Sequence, residues 1–182
     1  GLGGHARAAA YLLAFSSGLR RNEIRTLTAR SFNLDAEPPT VTVLAGYSKR
    51  RRKDVQPLPS DVAASLARYL RSTDPERPFP LPDKTGRMLH ADMAGARHAW
   101  LRNSADADEG YGRFGSDFLL PRDSHDLVLD FHSFRHGYVT AICRANVSPR
   151  VMMELARHSD PRLTMQRYSR VAVHESAKAL DA

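Results

Sequence analysis

Two short runs, Thr40–Leu44 and Val55–Leu58, carry the two-residue alternation of strands, and the segments before and after them repeat at the helical period. Runs this short make a hairpin and little more. The chain is therefore expected to be α+β and mostly helical, with a small antiparallel sheet near its N-terminal third. Ala8, Tyr11, Leu12 and Phe15 recur at helical spacing, and Gly18 is placed to end that helix in a left-handed conformation. Arg20 then falls at a break. Asn22 is expected to cap a second helix, with Glu23 in its first turn and Ile24 and Leu27 on its apolar face. Ser60 reads as the cap of a third helix bearing Val62, Leu66, Tyr69 and Leu70, and Pro75, Pro78, Pro80 and Pro82 hold the following chain extended. A fourth helix is expected over Asp92–Asn103, an exposed loop over Ser104–Gly115, and a fifth helix over His132–Ala145, ending at Asn146. Ser148 and Pro149 suit the cap and first turn of a sixth, and Asp160 and Pro161 repeat the signature for a seventh, about two turns into which lies Tyr168.

The 182 residues suffice for one domain, 1–182, whose core needs no disulfide. A small secreted disulfide scaffold is excluded by the single cysteine, Cys143, which is expected to be a small buried filler in a reducing, cytoplasmic setting. No apolar run approaches the ~20 residues that cross a bilayer, so no membrane partner is expected. The 27 Lys and Arg against 20 Asp and Glu leave a net charge of +7, which points to a polyanion.

Several residues could meet such a partner. His132 and Arg135, three apart, are expected on one helix face, where a guanidinium and an imidazole could grip an oxyanion whose charge changes during reaction. His136 completes an i,i+4 histidine pair that looks like half a zinc site, but Ser133 stands where a zinc hydrolase helix carries its Glu, and no metal is expected. His158 precedes a helix start, where backbone N–H groups favour an anion. Tyr168 lies between Arg167 and Arg170, which favour its ionised form; taken singly, it reads rather as core packing. The run Lys49, Arg50, Arg51, Arg52, Lys53 is the densest charge in the chain, set at the hairpin turn to follow phosphates or simply to be solvated. Arg20 and Arg21 sit at the early helix break.

Read in order, Gly18-Leu19-Arg20-Arg21-Asn22-Glu23-Ile24, Lys49, His132-Ser133-Phe134-Arg135-His136, Leu155-Ala156-Arg157-His158 and Tyr168 resemble the active-site series of the tyrosine recombinases, the phage-integrase and Xer family. The resemblance runs from Tyr11 to Ser169. It implies that family's catalytic-domain fold, with Arg20 and Arg135 binding the scissile phosphate and Tyr168 as nucleophile. Lys49 would protonate the departing 5′ oxygen, His132 would transfer protons, His158 would donate to a non-bridging oxygen, and Glu23 would support Arg20. Arg21, Arg50, Arg51, Arg52 and Lys53 would bind DNA. The chain departs from the family pattern in three places. Tyr168 follows His158 by one residue more than usual, Arg157 stands where the family has glycine, and the hairpin lacks the usual glycines, which leaves Lys53 as the alternative to Lys49.

The resemblance implies a site-specific recombinase that breaks and rejoins duplex DNA through a 3′-phosphotyrosine, without a cofactor. It further implies a homo-oligomer, a tetramer, on DNA, a monomer alone, and a place on the nucleoid. The upstream DNA-clamping domain of the family is expected to be absent from this chain. Alternatives are a type IB topoisomerase, a DNA-binding accessory protein with a degenerate site, and a zinc hydrolase.

Overall fold

The computed structural model describes residues 2–48, 51–145, 147–157 and 162, and these form two compact units. The first comprises the described residues up to Pro80 together with those from Phe134 onward; the second is Leu81–Ser133.

In the first unit, α1 (Gly4–Ser17) ends where the sequence places its stop: Gly18 adopts φ 63° and returns its N–H to Ala14. A Cβ at Gly18 would also overlap the ring of Tyr138, whose Cε1 lies 2.9 Å from that point. Helix α2 (Arg21–Arg25) follows at once, capped differently from expectation. Arg20 is its N-cap, and the Glu23 carboxylate reaches back to accept the Arg20 N–H at 2.8 Å, so Asn22 lies inside the helix. Three antiparallel strands come next, β1 (Phe32–Asn33), β2 (Thr40–Val43) and β3 (Asp54–Pro57), in that spatial order. The two-residue β1 is too short for its alternation to be read, and the sequence reading passes over it.

On β2 the branched Val41 and Val43 turn inward, as the alternation demands. Strand β3 reverses the rule. Its register pairs Val41 with Gln56 and Val43 with Asp54, so two polar side chains point into the protein while Val55 stands 53% exposed. Burying polar groups is tolerated only where partners await them, and here Ser48, Arg157, Tyr138 and the Leu155 carbonyl supply them. Helix α3 (Ser60–Leu70) packs on α1, with Pro59 rather than Ser60 at the cap. Phe79 sits among the rings of Phe32 and Tyr69, closing the far end of this core.

Helix α6 (Ser133–Arg144) and helix α7 (Pro149–Ala156) form a second core of Val139, Ile142, Cys143, Met152 and Ala156. Cys143 is buried there, as expected, with its Sγ 3.6 Å from the Met152 sulfur. Ser148 caps α7 through Val151 N–H and Pro149 occupies the first turn, as the sequence predicts. Tyr11 of α1 stacks on Phe134 of α6 with centroids 5.4 Å apart.

The second unit contains α4 (Thr85–Arg102), which starts seven residues before the expected fourth helix, and α5 (Ala107–Gly115), which lies where a loop is expected. Asp106 caps α5 by accepting the Glu109 N–H at 2.8 Å, and Glu109 answers by accepting Ala105 N–H. Arg97 holds the end of that helix through the carbonyls of Phe114 and Ser116, while Trp100 packs edge-on to Phe118 and lies under Arg113. Among the described residues, no helix is long and apolar enough to cross a membrane.

Candidate functional site

Four helix ends and one strand of the first unit bring charged residues together. Arg135, on the first turn of α6, is 5% exposed and donates to the carbonyl of Gly18 at 2.6 Å and to that of Ala156. Those carbonyls stand at the C-terminal ends of α1 and α7, where the helix dipoles favour a cation. The residue thus fastens three helices. A guanidinium has five N–H donors, more than these two bonds consume. Burial, together with the positive charges of Arg20 and Arg157, lowers its pKa to about 10, against the opposing pull of Glu23 and Tyr138.

Glu23 is 2% exposed and carries four donors on two oxygens. Oε1 accepts from Arg20 Nη1 at 3.1 Å and Arg157 Nη2 at 3.0 Å; Oε2 accepts from the Arg20 N–H at 2.8 Å and Arg157 Nη1 at 2.9 Å. Burial alone would push its carboxyl up, but the hydrogen bonds and charges of Arg157 and Arg20 outweigh that and hold it below its ordinary value.

Arg157 closes α7 in the left-handed region, φ 52°, which an L-residue enters at some cost and which explains why glycine suits this place. The compensation is electrostatic. Its side chain, 1% exposed, bridges Glu23 and, at 3.0 Å, Asp54 Oδ2 of β3, while the Ser48 hydroxyl donates to that same oxygen at 2.7 Å. Burial works against the Arg157 cation, but the two carboxylates reverse this and raise its pKa. Asp54 is held low by Ser48, Arg157 and Arg52 in spite of its own burial. Removing one partner from such a buried set generally costs about 3–5 kcal/mol. Beside it on β3, Gln56 donates to the Leu155 carbonyl at 3.0 Å and to the Tyr138 hydroxyl. Burial raises the pKa of Tyr138, against the hydrogen bond from Gln56 and the positive charges of Arg135 and Arg157.

Of the residues the sequence singles out, Arg20, Glu23 and Arg135 are thus brought into one cluster. Arg20 is 26% exposed, its guanidinium at the border of the cluster. Arg21 lies beside it, bonded to Asn22 at 3.1 Å. In the hairpin, Arg51, Arg52 and Lys53 are exposed, and Arg52 approaches Asp54 at 3.5 Å. A cleft of about 340 Å³ opens between Arg52 and Lys53 on one side and Glu154 and Arg157 on the other. His132 belongs to the second unit, exposed in the turn before α6 rather than on the helix itself, and His136 is exposed. Lys49, Arg50, His158 and Tyr168 lie outside the described residues. Asp54 and Gln56 escape the sequence reading, and Arg157 enters it only as a departure. Their signal is faint but real: they fall at strand positions whose partners on β2 are buried valines.

The chain is similar to known proteins over most of its length. The model of the phage integrase family matches residues 4–175. The probable site-specific recombinase in the afa region of Escherichia coli is 29% identical over 174 residues, which cover 91% of this chain and 63% of that protein. Tyrosine recombinase XerA of Thermococcus kodakarensis is 26% identical over 92% of this chain and 52% of its own length. The chain therefore spans between half and two thirds of these relatives. Among solved structures, the Tn1549 transposon integrase in complex with transposon right end DNA superposes with a TM-score of 0.59 at 15% identity, covering 94% of this chain and 59% of that one. A XerA recombinase crystal structure gives 0.59 at 14% identity, covering 97% and 57%. At such identities the likeness speaks for the fold.

Proposed function

The chain belongs to the phage integrase family, and from that membership we propose that residues 1–182 are the catalytic domain of a site-specific DNA recombinase. The observation that carries the reading is the arginine cluster around Glu23. Burial and, after it, the positive charge of Arg20 depress the Arg135 pKa, and a phosphate between the two guanidinium groups would relieve their repulsion. The resemblance assigns the remaining parts. The Tyr168 phenolate attacks the scissile phosphorus in line, the bond to the 5′ oxygen breaks, and Lys49 supplies the proton with which that oxygen leaves as a hydroxyl. Arg20 and Arg135 stabilise the added charge on phosphorus, work a metal clamp performs elsewhere, with His158 donating to a non-bridging oxygen and His132 moving protons. A 3′-phosphotyrosine results. A 5′-hydroxyl of a second strand then gives up its proton and displaces the tyrosine, so the bond is conserved through the exchange. Arg21, Arg50, Arg51, Arg52 and Lys53 hold the backbone of duplex DNA. Paired exchange calls for several copies, a tetramer on DNA formed from monomers, acting at the nucleoid.

The test is capture on a nicked suicide substrate, in which the short 5′ fragment diffuses away and the adduct persists. The wild-type chain should give a covalent complex that survives denaturing electrophoresis, and Tyr168→Phe should bind DNA equally while giving none. A chain that binds DNA but forms no adduct would be an accessory DNA-binding protein; an adduct retained by Tyr168→Phe would move the nucleophile elsewhere.

A further inference from the structure

Arg157 is enclosed as completely as any charge among the described residues, and the steps above make no use of it. Glu23 and Asp54 converge on its guanidinium, and Nη2 touches both. The exposed Arg52 reaches Asp54 at 3.5 Å from outside, and Arg135 is tied to two backbone carbonyls. Arg20 gives Glu23 one side-chain bond and remains 26% exposed. The interior charge of the two carboxylates is thus met from the inside by Arg157, while Arg20 meets Glu23 from the rim.

From this arrangement we propose that Arg157 is a positioning residue of the strand-transfer site, the interior counter-charge that leaves the Arg20 guanidinium turned outward for a DNA phosphate. The inference rests on the reading of Arg20 as a phosphate ligand. Without Arg157, two enclosed carboxylates share one neighbourhood with no cation between them. Arg20, already bonded to one of them and partly free to turn, is drawn inward to neutralise both. The phosphate then loses a ligand although Arg20 is unchanged in sequence.

The variant to make is Arg157→Gly, because glycine accepts the φ of 52° without strain. Single-turnover cleavage at saturating DNA should fall about tenfold or more, with a smaller change in DNA affinity. Adding Asp54→Asn removes the surplus negative charge and should restore most of the rate. A purely structural Arg157 gives the opposite ranking, since Asp54→Asn then weakens one more set of hydrogen bonds. Arg20 side-chain ¹⁵N resonances in the DNA-free protein supply a second readout: they should shift in Arg157→Gly and return in the double variant. A double variant no faster than the single, or Arg20 resonances indifferent to Arg157→Gly, overturns the proposal. If Arg157→Gly alone does not fold, the charge-balanced double variant is compared with wild type, and a rate more than about tenfold below it overturns the proposal equally. Failure of the wild type to form any adduct sinks the recombinase reading instead, and the Arg20 resonances still decide what Arg157 does.

Discussion

Gly18 joins two demands that a side chain cannot meet together. Its φ of 63° excludes most residues on backbone grounds, and the Tyr138 ring fills the space where a Cβ would go. Its carbonyl, moreover, receives Arg135. Gly18→Ala should therefore cost roughly 2–4 kcal/mol in urea unfolding, combining left-handed strain with overpacking. Gly137→Ala makes a fair control: the nearest atom to its added carbon is Phe15 Cε2 at 3.1 Å, on a ring that is 52% exposed and able to yield. Equal losses at the two positions would mean that the Tyr138 contact carries no weight. At this scale the sequence marked Gly18 as a helix stop and singled out Arg20, Glu23 and Arg135, which the structure brings together, since each lies in a short motif whose spacing has local meaning. Arg157 and Glu23, in contrast, are 134 positions apart, and no local pattern announces that they meet.

Among the elements, α2, β3 and α7 are fastened by the Glu23 and Asp54 carboxylates, and this fixes how they answer to acid. Both carboxyls lie below their ordinary values in the folded protein. Their stabilisation is then complete above the ordinary carboxylate range, about pH 4, and is lost as pH falls through the depressed folded values. Urea midpoints should drop on acidification below about pH 5, and Glu23→Gln should be less stable at pH 7 yet lose less over the acid range. Parallel curves for variant and parent would assign the acid transition to other groups. Elements whose ends carry strong local signals, such as α1 with Gly18 and α7 with Ser148 and Pro149, were legible in the sequence. Helix α5 was not, for three of its nine residues are glycine, each disfavoured by up to about 1 kcal/mol against alanine. What secures it is the Asp106 and Glu109 exchange at its start and the reach of Arg97 from α4 at its end, the latter a tertiary effect. Strand β3 was legible as a strand but not in which face it buries: that face is polar because Arg157, Tyr138 and the Leu155 carbonyl wait there.

The molecule as a whole carries a charge of +7, and the proposed function assigns to the DNA backbone the cations of a basic run in which Arg51, Arg52 and Lys53 are exposed. Each phosphate neutralised contributes about 0.9 to the slope of log affinity against log salt. Changing Arg50, Arg51, Arg52 and Lys53 to alanine should flatten that slope by about 2–4 and leave the tyrosine adduct detectable at low salt. An unaltered slope would make the hairpin a solvated turn. The fold class and the small sheet were readable from period alone, whereas the division into two units was not, because a segment inserted between Pro80 and Phe134 has no compositional border. That insertion also sets an order of events during synthesis. Arg20 is made before Arg135, which comes 115 residues later and takes hold of the Gly18 carbonyl only then, with Ala156 and Arg157 later still. At about 5–20 residues per second the growing chain passes on the order of ten seconds with its basic segments made and its arginine cluster open. The three helix ends that Arg135 joins can therefore close only once Ala156 has been made, whatever has folded before it.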